Sequence, residues 1–142
     1  MIIISHRGKL DGSSFSENTT NAIDYTLSKG IHVEVDVWGD NKNQLAIGHD
    51  NPDEYTSVDY LSNPRIWVHA KNNYALDLLY KTDVNYFYHQ DDAFIVTSKG
   101  YNWAHIDTIP LISNAVYCAF SLNQLEKLKS KVSHPIGVCT DF

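Results

Sequence analysis

The sequence predicts an α/β fold built on a largely parallel sheet, and three observations predict it. Short apolar runs rich in β-branched and aromatic residues recur along the chain. Helical segments with recognisable caps and stops lie between several of them. The 142 residues are 43% hydrophobic and 12% aromatic, enough for a packed core, and no linker, repeat or low-complexity stretch divides them. A single domain over 1–142 is expected.

In order, "IIIS" (2–5) reads as the first strand. "SENTTNAIDYTLSKG" reads as a helix with Asn18 or Thr19 as its cap, Ala22, Ile23 and Leu27 as its apolar residues, and Gly30 as its stop. In "HVEVDVW" (32–38), Val33, Val35 and Val37 alternate with His32, Glu34 and Asp36, a strand of period two. Its polar face carries two carboxylates. A solvated face explains them, and so does a site that needs paired anionic oxygens. A short apolar run, Leu45 to Ile47, precedes "GHD". "RIWVHAK" (65–71) reads as a strand, and "NNYALDLLYK" as a helix with Leu76, Leu79 and Tyr80 on one side. "NYFYHQ" (85–90) is a strand whose aromatics belong to a core. "AFIVTSKGYNWAH" reads as two strands, 93–98 and 101–105, or equally as an antiparallel hairpin turning at Lys99–Gly100, the connection being too short for a crossover. "NAVYCAF" (114–120), the helix "SLNQLEKLKSK" with Leu122, Leu125 and Leu128, and "IGVCTDF" (136–142) follow. Alternation of this kind argues for parallel strands joined by crossovers. About eight strands stand against three convincing helices. A full (β/α)₈ barrel usually takes about 250 residues, so a barrel here would be a stripped one.

Composition excludes some classes. The formal charge of −6 comes without a basic block, which argues against nucleic-acid binding. No apolar run of about 18 residues exists to span a membrane, so no stable membrane anchor is expected. The apolar lead of "MIIISHRGK" is too short for a signal peptide. Cys118 and Cys139 lie in apolar contexts and read as small buried residues. A reducing, cytoplasmic setting is expected.

The polar residues gather. His6 and Arg7 follow the first strand, Glu34 and Asp36 lie on the second, and His49 and Asp50 follow Ile47. His69 and Lys71 end the strand over 65–71, and His89 ends the next. Singly, each has an ordinary structural explanation: a bonded histidine, a turn glycine in "HRG", a snorkelling lysine. Together, at the rim where parallel strands end, they supply proton carriers, cations for a phosphate and hard oxygen ligands for a divalent metal.

The ordered set "SHRG…SENTTNAI…GIHVEVDV…LAIGHD" resembles the N-terminal signature of the glycerophosphodiester phosphodiesterase family, and "IGVCTDF" resembles that family's closing strand. The resemblance implies a TIM-barrel-like (β/α) fold, here reduced to about eight short strands with several outer helices missing. It implies cleavage of a small phosphodiester to an alcohol and a phosphomonoester. His6 and His49 would be the general acid and base. Arg7, Lys71 and Glu17 would serve the phosphate and substrate, Asn18 the helix cap, and Glu34 and Asp36 a divalent metal, Mg²⁺ or Ca²⁺.

Two departures matter. Where the family carries a third carboxylate, this chain has His69 in "VHAK". An imidazole ligand would favour Mn²⁺ or Zn²⁺. The chain is also short for a barrel. Both motivate an alternative, a non-catalytic relative that binds phosphorylated metabolites. Missing outer helices would expose apolar strand faces, which a homodimer would cover.

Overall fold

The computed structural model describes residues 1–11, 16–107 and 110–142. Ten strands and four helices follow in the order β1 (Ile2–His6), α1 (Thr20–Ser28), β2 (His32–Gly39), β3 (Leu45–Ile47), β4 (Glu54–Thr56), α2 (Val58–Leu61), β5 (Ile66–Ala70), α3 (Asn73–Leu79), β6 (Tyr86–Phe87), β7 (Phe94–Val96), β8 (Asn102–His105), β9 (Ala115–Cys118), α4 (Leu122–Lys131) and β10 (Gly137–Thr140). Seven strands run parallel in the spatial order β6-β5-β2-β1-β10-β9-β8. The hairpin β3–β4 adds antiparallel to the end of β2, and β7 adds antiparallel to β8.

Period-two alternation decides what each strand buries. Val33, Val35 and Val37 of β2 join Ile66, Val68 and Ala70 of β5 against Ile23 and Leu27 of α1 and Ala75 and Leu79 of α3. Each fully buried Val, Ile or Leu among them contributes on the order of 1.5–3 kcal/mol. A second helix layer packs Leu128 of α4 on Ala104, Tyr117 and Val138. The opposite strand faces meet inside the curl of the sheet. There Ile4, Trp67, Phe87, Trp103, Val116, Cys118 and Cys139 form one cluster. Phe87 of β6 lies 4.6 Å, centroid to centroid, from Trp103 of β8, so the two ends of the parallel run touch through their side chains. Among the described residues no strand pairing joins β6 to β7. Ser98 spans that gap instead, giving its N–H to Tyr86 O (2.7 Å) while its Oγ accepts from Tyr86 N (2.9 Å).

Several sequence expectations change here. The first helix is capped by Thr19, whose side chain accepts from Ala22 N, and not by Asn18. Tyr80 and Leu122 face solvent instead of completing apolar stripes, because Ala75 with Leu79, and Leu128, turn the helices the other way. The stretch over 93–105 is the antiparallel hairpin, turned at Gly100 with φ +83°. The run over 85–90 shortens to two strand residues, and β4 and α2 were not read at all. No described helix is long and apolar enough to cross a membrane.

Candidate active site at the strand ends

β1 pairs with β2 only as far as His6 opposite Glu34. Beyond that point the chain leaves the sheet through "RGK". Arg7 takes φ +57° and Gly8 φ +78°, with Arg7 N bonded to Glu34 O (2.9 Å) and Arg7 O accepting from Asn18 N (2.9 Å). A non-glycine residue in the left-handed region persists where its surroundings hold it there. A Cβ on Gly8 would stand 3.1 Å from the backbone of Ala22, so glycine also lets α1 approach.

The space vacated by β1 is filled by Asn18, which the sequence reading had assigned to a cap. Its side chain reads both polar ends of Asp36: Nδ2 donates to Asp36 Oδ2 (2.9 Å) and Oδ1 accepts from Asp36 N (3.0 Å). Asp36 is also met by His69 Nδ1 at 2.9 Å, Lys71 Nζ at 3.4 Å and Arg7 Nε at 3.1 Å. Burial pushes its carboxyl up, but His69, Lys71 and Asn18 outweigh burial and hold it far below the usual carboxylate range. Glu34 is the opposite case. It is 3% exposed, its Oε2 has no hydrogen-bond partner, and His6 Nε2 lies 3.9 Å away. Burial first, then the Asp36 charge, drives its carboxyl well above the ordinary value, toward the protonated form.

A cavity of about 450 Å³ opens over these groups, lined by His6, Arg7, Lys9, Glu34, His69 and Asp141 on its charged side. Phe87, Trp103 and Phe120 give it an aromatic lining with His89 and His105, and Cys118 and Cys139 lie among them. His6 is gripped at Nδ1 by Asp141 Oδ1 (2.7 Å) and on its face by Phe120, ring centroids 4.5 Å apart. Burial, then the Arg7 charge, lowers its pKa to about 4. The ring is therefore neutral at neutral pH. Lys9 Nζ joins Asp141 (2.9 Å) to Glu17 (3.4 Å), and Glu17 lies 3.5 Å from Arg7.

The residues named from sequence are thus divided. His6, Arg7, Glu34 and His69 line one cavity. Asp36, Glu17 and Lys71 stand directly behind it. His49 is not among the residues that line the cavity: it follows β3, which pairs antiparallel with the end of β2 on the edge that β1 leaves, and its Nδ1 lies 2.7 Å from Asp50 Oδ1. Its neighbour Gly48 touches the site's back, donating N–H to Asp36 O (3.2 Å). Lys9, Phe120 and His105 were not singled out. A cation two places beyond "HR" and the order of strands around the cavity were the only signals.

Glu34, Asp36 and His69 each offer a ligand atom, all within 4.8 Å of one another. That is the span across a coordination sphere with oxygen bonds of about 2.4 Å. The unpartnered buried Glu34 Oε2 is the oxygen a cation would satisfy. Two carboxylates and an imidazole suit a divalent metal, and the residues present fit one.

No family model matches the sequence, and no curated protein matches it. Among solved structures, the fold is similar to that of a glycerophosphodiester phosphodiesterase from Agrobacterium tumefaciens str. C58, with 14% identity and a TM-score of 0.57. The likeness covers 99% of this chain and 96% of that one, and it is a likeness of fold.

Proposed function

We propose that this chain is a phosphodiesterase that hydrolyses a small diester of the glycerophosphodiester kind to an alcohol and a phosphomonoester. The observation that carries the reading is the convergence of the Glu34–Asp36–His69 cluster, neutral His6 and Arg7 on one cavity at the ends of parallel strands. The fold likeness to a phosphodiesterase supports it. Arg7 would bind the non-bridging oxygens through its guanidinium, with Lys71 behind Asp36 adding positive charge. His6, neutral and with Nε2 directed toward Glu34 and the cavity, would take the proton of the attacking hydroxyl. Glu34, Asp36 and His69 would hold a divalent cation, Mg²⁺ or Ca²⁺, or Mn²⁺ or Zn²⁺ given the imidazole. When bound, it supplies Lewis acidity toward a phosphate oxygen. His49 remains the candidate second proton carrier from the resemblance, and its ring would have to turn away from Asp50 to serve.

The test is a panel of phosphodiesters, each with Mg²⁺, Ca²⁺, Mn²⁺ and Zn²⁺, on wild type, His6→Ala and His49→Ala. Turnover should fall by about 10²-fold or more in His6→Ala. Wild-type turnover in that variant would remove the assignment. A full rate in His49→Ala would leave His6 as the principal proton carrier. One observation favours a second reading, a binder of phosphorylated metabolites without turnover: Asp36 already meets four protein groups, and the third carboxylate is a histidine. Tight metal and phosphate binding with no diester cleaved would support that reading.

A further inference from the structure

Asp141 follows β10, the strand that lies beside β1 with Ser5 opposite Thr140. That register brings the Asp141 carboxylate to the same level as His6, across the cavity wall from Glu34. One oxygen, Oδ1, receives both the His6 ring at 2.7 Å and Lys9 Nζ at 2.9 Å. The ammonium cannot accept a proton and the ring nitrogen faces a carboxylate, so the consistent arrangement has Nδ1–H of His6 donating to Asp141. The other ring nitrogen, Nε2, is then the bare one, and it points at the cavity and Glu34. Phe120 packs on the ring and limits its tilt.

We propose that Asp141 is a positioning residue for the proton transfer read above, fixing His6 as the Nδ1–H tautomer with the Nε2 lone pair in the cavity, while Lys9 anchors the Asp141 carboxylate. The inference rests on the reading of His6 as proton acceptor. Its geometry stands separately from any turnover. A carboxylate that orients an imidazole in this way acts through the ring and touches no substrate.

The experiment is two-part. Long-range ¹H–¹⁵N correlation spectra of the His6 ring report its tautomer in wild type, Asp141→Asn and Asp141→Ala. Initial rates on the best diester of the panel give kcat and KM for the same proteins. Wild type should show one tautomer with the proton on Nδ1. Asp141→Asn keeps an oxygen at the Oδ1 position, so it should retain that tautomer and stay within about tenfold of wild-type kcat. Asp141→Ala should show the Nε2–H form and lose about 10²-fold in kcat with KM little changed. An Nε2–H tautomer in wild type, or an unchanged tautomer or kcat in Asp141→Ala, overturns the proposal. If Asp141→Ala does not fold, Lys9→Met is used: a loosened Asp141 should broaden or mix the His6 tautomers, and an unchanged spectrum overturns the anchoring role. A wild type that cleaves no diester yet shows an Asp141-dependent Nδ1–H tautomer supports the positioning and fails only the phosphodiesterase reading.

Discussion

Glu34 and Asp36 sit two positions apart on one strand and end in opposite electrostatic states. Asp36 is surrounded by donors that hold its carboxyl below the usual range, whereas Glu34, buried and without a partner for Oε2, is pushed toward the protonated form. A cation that takes Glu34 as a ligand must displace that proton. Calorimetric titration of Mn²⁺ or Mg²⁺ in two buffers of different ionisation enthalpy should therefore show proton release that grows as the pH is lowered. No release would mean that Glu34 is not a ligand. The alternation Val33–Glu34–Val35–Asp36 was legible in the sequence because strand period is a local property. What each carboxylate meets was not. Asn18 has a helix cap's composition and position, yet its neighbour Thr19 caps, and the Asn18 amide is spent on Asp36. His49 follows an apolar run as His6 does, but the sequence does not reveal that β3 runs antiparallel to β2 while β1 runs parallel to it, so the two histidines leave their strands in opposite directions.

At the scale of elements, one side chain adds hydrogen bonds to the apolar packing that seats α3 on β2. Asn72 caps α3 through Ala75 N (2.9 Å). It also holds Gly39 at both ends, Oδ1 accepting from Gly39 N (3.0 Å) and Nδ2 donating to Gly39 O (2.8 Å). Asn72→Ala is expected to cost about 2 kcal/mol, one cap together with two buried backbone bonds. Gly39→Ala should cost at least as much, since a Cβ there would collide with the backbone of Tyr74 and Ala75. Urea unfolding midpoints measure both, and a wild-type midpoint in either would show that α3 is held elsewhere. Three of the described helices were readable from apolar spacing, Ile23 with Leu27, Leu76 with Leu79 and Leu125 with Leu128, whereas the four-residue α2 is too short to show any. The hairpin β3–β4 escaped because three-residue strands carry almost no periodic signal.

Across the whole molecule, stability should follow pH through the site. Between about 4 and its ordinary 6.5, His6 binds a proton in the unfolded chain that the folded chain refuses, so its contribution to stability rises with pH across that window, while Glu34, with its raised carboxyl, works in the opposite sense. Asp36 adds a further loss only at lower pH, below the usual carboxylate range. His6→Gln should remove the His6 rise between pH 4 and 6.5, changing the slope of unfolding midpoint against pH there. A slope identical to wild type would contradict the burial of a neutral His6. The overall class, parallel strands with too few helices, was legible from run order and length. The rolling of the sheet was not, since it depends on Phe87 and Trp103 meeting from strands far apart in the chain. The same distance has a kinetic side. Ile2 pairs with Gly137 and Ser5 with Thr140, so β1 reaches its second neighbour only after nearly the entire chain has been looped. Loop closure on that scale is slow, and no local hairpin can substitute for it. His6 and Asp141 lie at the far end of that ladder. The cavity thus rests on the most non-local pairing among the described strands, and a chain with its helices and β2–β5 core already formed would still be without its site.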